Sequence, residues 1–420
     1  MKLVLVGAGQ RGMIYAQYAK DSGRASITAV VEPDEVRRAS AGKRLEIDPI
    51  HLYENVEDFF KAEKKADAII IASMDRNHYK HAMVALDHGY DILLEKPISP
   101  DLKETIGIQQ KANKLGKKII VCHVLRYTNF YSELKRIIDS KELGKVITIQ
   151  HNENVGNFHI AHSFVRGNWR KEAESSPIVM QKSSHDMDIL TWLVGSDAKR
   201  ISSFGSLTYF KEENAPTGSA SRCLDCTVAD TCRFDAKKAY LPVRGSWPAT
   251  LLGEDQSEEG ILKALETSPY GKCVYRCDND VCDNQVMLIE FKNGVTVSFN
   301  LSGFTNKMNR TFKIMCEDGE IRGDDSQNVI EIIRFGSNMV DKVEMKVIHP
   351  EVTQGFHGGG DIGLMKDFLS QMESGDITSR SSIDKSVQSH LMATAAEHAR
   401  VTGKTVDLDL FREEILQVTD

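Results

Sequence analysis

The stretch Gly7-Ala8-Gly9-Gln10-Arg11-Gly12 follows the apolar run KLVLV and precedes the helical pattern MIYAQYAKDSG. A glycine turn between a buried strand and a helix opens a βαβ unit. The first glycine permits the tight turn, the second lets backbone approach a pyrophosphate, and the third lets helix and strand pack closely. The helix N-terminus is then aimed at the phosphates. The following residues keep the alternation. ASITAVVEP, DAIIIAS, DILLEKP and KKIIVCHV read as buried strands, and VRRASAGKRL, HYKHAMVALDHG and LKETIGIQQKANKLG as helices. Such alternation builds a parallel sheet with helices on both faces, so residues 1–123 are expected to form a Rossmann-type α/β domain.

After residue 123 the pattern changes. KVITIQHNENV, KRISSFGSLTYF, QVMLIEFKNGVTVSFNLSGF, RTFKIMCEDGEIRG and NVIEIIRF look like long antiparallel strands with NG and DG turns. Residues 124–420 are expected to form a second, α+β domain. A length of 420 residues with 41% hydrophobic and 27% charged content suits two such domains. The net charge of −7 argues against nucleic acid or an anionic membrane as the main partner. No apolar run is long enough to span a bilayer. The N-terminus enters the glycine turn without a signal-peptide pattern, so a cytoplasmic protein with reduced thiols is expected.

Glu32 closes the second strand, where an acid would grip the adenosine ribose hydroxyls and repel a 2′-phosphate. NAD is therefore the expected cofactor, with Arg37 and Arg38 nearby leaving NADP as the second choice.

At Glu95-Lys96-Pro97, with GAGQRG and the strand order above, the chain resembles the Gfo/Idh/MocA family, the dehydrogenases related to glucose-fructose oxidoreductase and inositol dehydrogenase. The resemblance covers essentially the whole chain. It implies an open-faced, mixed, largely antiparallel sheet in the second domain, helices on one side, and a homodimer or homotetramer formed through the other. It also implies that Lys96 reaches the junction of nicotinamide and substrate. Independently, a ligand in such a sheet lies outside the carboxyl ends of the strands, and Lys96 is at one of them. The expected cofactor contacts are Gly7, Gly9, Gln10, Arg11, Gly12, Glu32, Ser73, His78, Glu95, Lys96 and Pro97.

Residues 180–188, MQKSSHDMD, crowd a lysine, a histidine and two aspartates before the apolar ILTWLV. Ser183 or Ser184 reads as an N-cap, and Asp186 and Asp188 suit a helix N-terminus, but Lys182 does not. The family pattern here is an aspartate, three residues, then a histidine. His185 takes the histidine position, while Gln181 stands where the aspartate is usual and cannot accept a proton. His185, Lys182 and Asp186 join Lys96 as catalytic candidates. In ENVGNFHIAHSFVRGNW, His159, His162, Arg166 and Trp169, and in TQGFHGGGD, His357, are candidates for a polyhydroxylated substrate. Both stretches read as surface loops or a pocket wall. HGGGD also resembles a stretch in NAD-dependent alpha-N-acetylgalactosaminidases.

An insertion at roughly 211–285 holds six of the eight cysteines, in the spacings Cys223-x2-Cys226-x5-Cys232 and Cys273-x3-Cys277-x4-Cys282. In a reducing compartment this suggests a structural tetrahedral thiolate site on Cys223, Cys226, Cys232 and Cys273, with Cys277 a close competitor. Zinc is the first choice of metal, an iron–sulfur cluster the second, and free thiols the alternative.

The resulting reading is hydride transfer between a hydroxyl carbon of a sugar, sugar derivative or cyclitol and NAD, with Lys96 and His185 as the candidate bases. A glycosidase that oxidises its sugar transiently is the runner-up, and a non-catalytic NAD-binding regulator the third reading. NAD is expected to bind more tightly than NADP, with Glu32→Ala narrowing the gap. Calorimetry finding NADP preferred by the unaltered protein would overturn that assignment.

Overall fold

The computed structural model describes residues 1–61, 66–340, 343–375 and 379–417. Two sheets organise it. The first contains β1 (Lys2–Val6), β2 (Ser26–Val31), β3 (Leu52–Tyr53), β4 (Ala68–Ile71), β5 (Asp91–Leu94) and β6 (Ile119–Val121), in the order β3-β2-β1-β4-β5-β6. All its pairings are parallel. Helices cover both faces, so the strands are largely apolar; Ala68 to Ile71 are fully buried. The chain runs outward from β1 to β3 and then returns to β4 on the other side of β1. This switch opens a crevice at the carboxyl ends of β1 and β4, where such sheets bind ligands.

The second sheet has nine strands: β7 (Val146–Asn154), β8 (Ala198–Ser206), β9 (Asn284–Phe291), β10 (Thr296–Ser302), β11 (Asn309–Cys316), β12 (Gly319–Asp324), β13 (Val329–Arg334), β14 (Met345–Ile348) and β15 (Val406–Asp407). Their order is β14-β13-β12-β11-β7-β10-β9-β8-β15, antiparallel except for the parallel β7/β10 pair. Side chains alternate in burial. Met287, Ile289, Phe291, Val297, Phe299 and Leu301 face the core with helices Ser184–Val194 and Ile383–Thr402. On the other face Phe204 lies opposite Val286 and beside Leu288, with 64%, 45% and 63% of their surfaces exposed. No helix among the described residues is long and apolar enough to cross a membrane.

Two helices from the second half of the chain bind the sheets together. Helix Gly360–Ser374 packs Leu364, Met365, Phe368 and Leu369 against Leu3, Leu5 and Val30 of the first sheet. Helix Ile383–Thr402 reaches the end of β5 through His390, whose Nε2 accepts the Ile98 N–H at 2.7 Å.

The polar stretch 157–166, expected as a loop, is instead helical. Ile160–Arg166 forms a π-helical segment whose seven residues are all buried. Its polar side chains find partners in the insertion, which removes the objection to burying them. Residues 178–194 likewise depart from a simple capped helix. A short helix, Ile178–Gln181, runs almost directly into Ser184–Val194, and Ser183 makes no side-chain cap.

A buried ion cluster fixes Ser184–Val194 to the sheet. Asp186 Oδ1 accepts from His151 Nε2 and Arg310 Nε, both at 2.8 Å, and Arg310 Nη2 lies 2.7 Å from Glu153 Oε2. Lys182 Nζ completes it, 3.4 Å from Glu153 Oε1. Burial by itself would raise the Asp186 carboxyl, but Arg310 and His151 outweigh it and hold it at about 2. Its stabilising contribution is therefore present above the unfolded value of about 3.9 and is lost as pH falls toward 2. Arg310→Leu leaves two buried carboxylates without their shared cation and is expected to cost about 3–5 kcal/mol at neutral pH. Urea unfolding that gives a loss below about 1 kcal/mol, the range of exposed pairs, would show that the cluster is not a stabilising unit.

Candidate active site

The glycine turn after β1 meets the steric demands of a dinucleotide cradle. Gly7 has φ +92°, and a Cβ there would lie 2.5 Å from the Ala72 carbonyl oxygen. A Cβ on Gly12 would approach the Gly7 oxygen to 2.1 Å, whereas no protein atom lies within 4 Å of one on Gly9. Gly9 caps helix Gln10–Asp21 without a side-chain bond, and its first turn contains no acid. That leaves the positive end of the helix open to an anion, as a pyrophosphate requires. Gln10 is exposed in this turn. Glu32 is buried at the end of β2, where its carboxylate accepts the Ala8 N–H at 2.7 Å and the Asp34 N–H at 3.1 Å. It thus braces the glycine turn itself.

Arg11 turns inward. Its Nε donates to Glu95 Oε1 at 2.8 Å, and its other nitrogens meet Tyr15, Asp361 and His357. Glu95 also accepts from Tyr15 Oη at 2.7 Å and from the Lys96 N–H at 2.8 Å. One carboxylate therefore joins the first helix, the end of β5 and, through Arg11, helix Gly360–Ser374. Burial opposes its ionisation, yet Arg11 and Lys96 hold the Glu95 carboxyl below the ordinary value. His78 is fully buried, with its ring nitrogens 2.7 Å from the Pro97 carbonyl and 3.0 Å from the Ser73 carbonyl. It clamps the turns after β4 and β5 together. The Ser73 hydroxyl pairs with His81 Nδ1 at 3.0 Å.

Lys96 extends from the end of β5 toward the second domain. Its Nζ donates to the Gln181 main-chain oxygen at 2.6 Å and side-chain oxygen at 3.1 Å. Burial lowers its pKa to about 8, with Glu95 and Asp75 pulling the other way. The His185 ring centre lies 5.9 Å from that of His123 and 6.2 Å from that of His357. Burial, reinforced by Lys96 and His123, pushes His185 well below the usual imidazole value. It is neutral at physiological pH, and its Nδ1 is buried with no hydrogen-bond partner among the described residues.

The expected site residues thus divide. Lys96, His185 and His357 lie around the end of β5. The His159 ring packs between Phe164 and Trp247, 5.9 and 5.3 Å away, and burial pushes its pKa down, reinforced by Lys182, His162 and Lys96. Lys182 and Asp186 are committed to the buried ion cluster, which leaves Asp186 without a free acceptor face for a proton-transfer role. His162 and Arg166 belong to the core of the insertion. His162 bonds Tyr240 at 2.9 Å and stacks on Tyr270, while Arg166, 2% exposed, donates to the Lys272 and Phe234 carbonyls. Trp169 packs against Phe164.

The cysteine expectation is corrected. Cys223, Cys226, Cys232 and Cys273 line one small cavity, but no group of three or more His, Cys, Asp or Glu among the described residues is arranged to hold a metal. The Arg166 guanidinium lines the same cavity, with Nη2 3.3 Å from Cys223 Sγ, placing a positive charge where a dication would need thiolates. Burial raises the Cys223 and Cys273 thiols, which favours their neutral form.

Three groups absent from the sequence reading complete the site. Asp75 follows β4, His123 follows β6, and His390 comes from helix Ile383–Thr402. The first two could have been found by looking for polar residues immediately beyond buried apolar strands.

Comparison with known proteins identifies the family and agrees with the fold. Residues 1–123 match the model of an oxidoreductase family with an NAD-binding Rossmann fold, and residues 135–408 match its C-terminal alpha/beta domain. A putative oxidoreductase, YteT, of Bacillus subtilis is 23% identical over 82% of each chain. An inositol 2-dehydrogenase of Corynebacterium glutamicum is 27% identical over 47% of this chain and 55% of its own length. Among solved structures, levoglucosan dehydrogenase in complex with NADH and levoglucosan superposes with a TM-score of 0.71 at 15% identity, covering 97% of this chain and 99% of that one. An Agrobacterium radiobacter oxidoreductase in complex with NAD+, L-tartaric acid and magnesium gives 0.71 at 14% identity, over 98% and 99%. Matched by the family's models in both its halves, the chain belongs to the Gfo/Idh/MocA family of NAD-binding oxidoreductases.

Proposed function

We propose that this protein is an NAD-dependent dehydrogenase acting on a hydroxyl carbon of a sugar, sugar derivative or cyclitol. The observation that carries the reading is the half-buried Lys96 amine, held by Gln181 at the carboxyl end of β5 and lowered to about 8, beside a neutral His185. Bound along the glycine turn, the dinucleotide supplies the hydride acceptor. Lys96 in its neutral form takes the hydroxyl proton as the hydride departs, a task suited to a base with a pKa near the working pH. His185 orients the same hydroxyl through its unpartnered nitrogen, and His159 and His357 offer further polar contacts to a polyhydroxylated ring. The names of relatives agree in class, since inositol 2-dehydrogenases and levoglucosan dehydrogenase act on cyclitol and sugar hydroxyls. We also assign self-association to the exposed sheet face around Phe204, Val286 and Leu288, an apolar surface suited to a second copy.

The test is a screen of monosaccharides, inositols and aryl glycosides with NAD, following NADH absorbance and aglycone release. NADH should form in step with substrate use, and oxidation should accelerate with pH through about 8 as Lys96 loses its proton. Lys96→Ala and His185→Ala should each lower turnover by about 10²-fold or more with little change in NAD affinity. Aglycone release without net NADH, with solvent deuterium entering beside the oxidised carbon, would instead identify the transient-oxidation glycosidase.

A further inference from the structure

An ammonium group has only donors and a carboxylate only acceptors, so a primary amide bridging the two has a single productive orientation. Gln181 forms such a bridge. Its Oε1 lies 3.1 Å from Lys96 Nζ, its Nε2 donates to Asp75 Oδ2 at 2.8 Å, and its main-chain oxygen takes a second Lys96 proton at 2.6 Å. Asp75 lies in the turn after β4, 7% exposed. It makes no ion pair of its own among the described residues, although a buried carboxylate without a cation is costly. Its charge is felt by His78 in the same turn and by Lys96 on the far side of the Gln181 amide.

We propose that Asp75 is a positioning residue for Lys96: through the Gln181 side chain it fixes the direction of the ammonium group and supplies negative charge that holds its proton. The proton-transfer role of Lys96 rests on the function proposed above, whereas the Asp75–Gln181–Lys96 link does not. Burial raises the Asp75 carboxyl, with His78 and Lys96 pulling it the other way. Lys96 is faced by Glu95 from its own strand, Arg11 from the first helix, Asp75 from the turn after β4, and Lys182 from the second domain. Lys96 also acts on His123, His159, His185 and His390, and burial lowers all four. They stay neutral between pH 7 and 9, so their charge does not change across that window.

Competitive labelling with acetic anhydride from pH 6 to 10, read on the Lys96 peptide by mass spectrometry, measures this titration without a substrate. The unaltered protein should give a midpoint of about 8. Asp75→Asn keeps a side-chain acceptor for Gln181 but removes the charge, so the midpoint should fall by about one unit. The double variant Asp75→Asn/Gln181→Glu moves the carboxylate next to Lys96 and should restore or raise the midpoint, which also guards against a folding defect in the single variant. A midpoint in Asp75→Asn within about 0.2 unit of the unaltered protein, or a double variant that falls as far as the single one, would overturn the proposal. Because labelling requires no turnover, a protein that oxidises no sugar would refute the proposed function and leave this link standing.

Discussion

Taking an ammonium group out of water costs several kcal/mol unless its protons find acceptors and its charge finds a counterpart. The chain meets that cost at the end of β5, where Lys96 is half-buried between the two domains, and the neighbouring elements are arranged accordingly. Glu95 supplies charge from the adjacent residue and is itself held by Arg11 and Tyr15 of the first helix. Gln181 supplies two oxygens from the second domain. The compensation is incomplete, so loss of solvent pulls the Lys96 pKa down from its ordinary value to about 8. A fully compensated lysine would remain a permanent cation and could not serve as a base.

The same compensation explains why the site spans both halves of the chain. Arg11 links Glu95 to Asp361 and His357 on the element that opens helix Gly360–Ser374. His78 ties the turns after β4 and β5, and His390 accepts the Ile98 N–H from a helix nearly 300 positions later in the chain. These contacts are long-range in sequence and short in space, so the geometry around Lys96 depends on domain docking more than on any single loop.

This also shows what a sequence can reveal. The glycine turn and the parallel sheet were legible because local constraints produce them: a tight turn needs glycine, and a doubly covered strand needs an unbroken apolar run. Burial alternates along β10 as its sequence does, whereas β9 alternates in burial through an unbroken apolar run that leaves Val286 and Leu288 exposed. Helix position alone could not tell that Arg310, 124 residues later, pairs with the Asp186 carboxylate. Nor could the local pattern show the partners of Arg166, which lie in an insertion without periodicity. The cysteine spacing showed that the thiols share one cavity but could not show that a guanidinium lines it. Polar residues whose partners are distant in sequence account for most of these differences.

The central claim is spatial: the nicotinamide end of the cofactor lies beside Lys96 and His185, between the sheets. A crystal structure of the protein with NAD tests it directly. The account predicts pyrophosphate over Gly9 at the N-terminus of helix Gln10–Asp21, and the reactive carbon of the nicotinamide placed so that a substrate carbon can touch it while that carbon's hydroxyl oxygen touches Lys96 Nζ, reacting atoms being about 3–3.5 Å apart. A nicotinamide ring directed away from the end of β5, with Lys96 still bound to Gln181 and no room beside it for a substrate, would contradict the account.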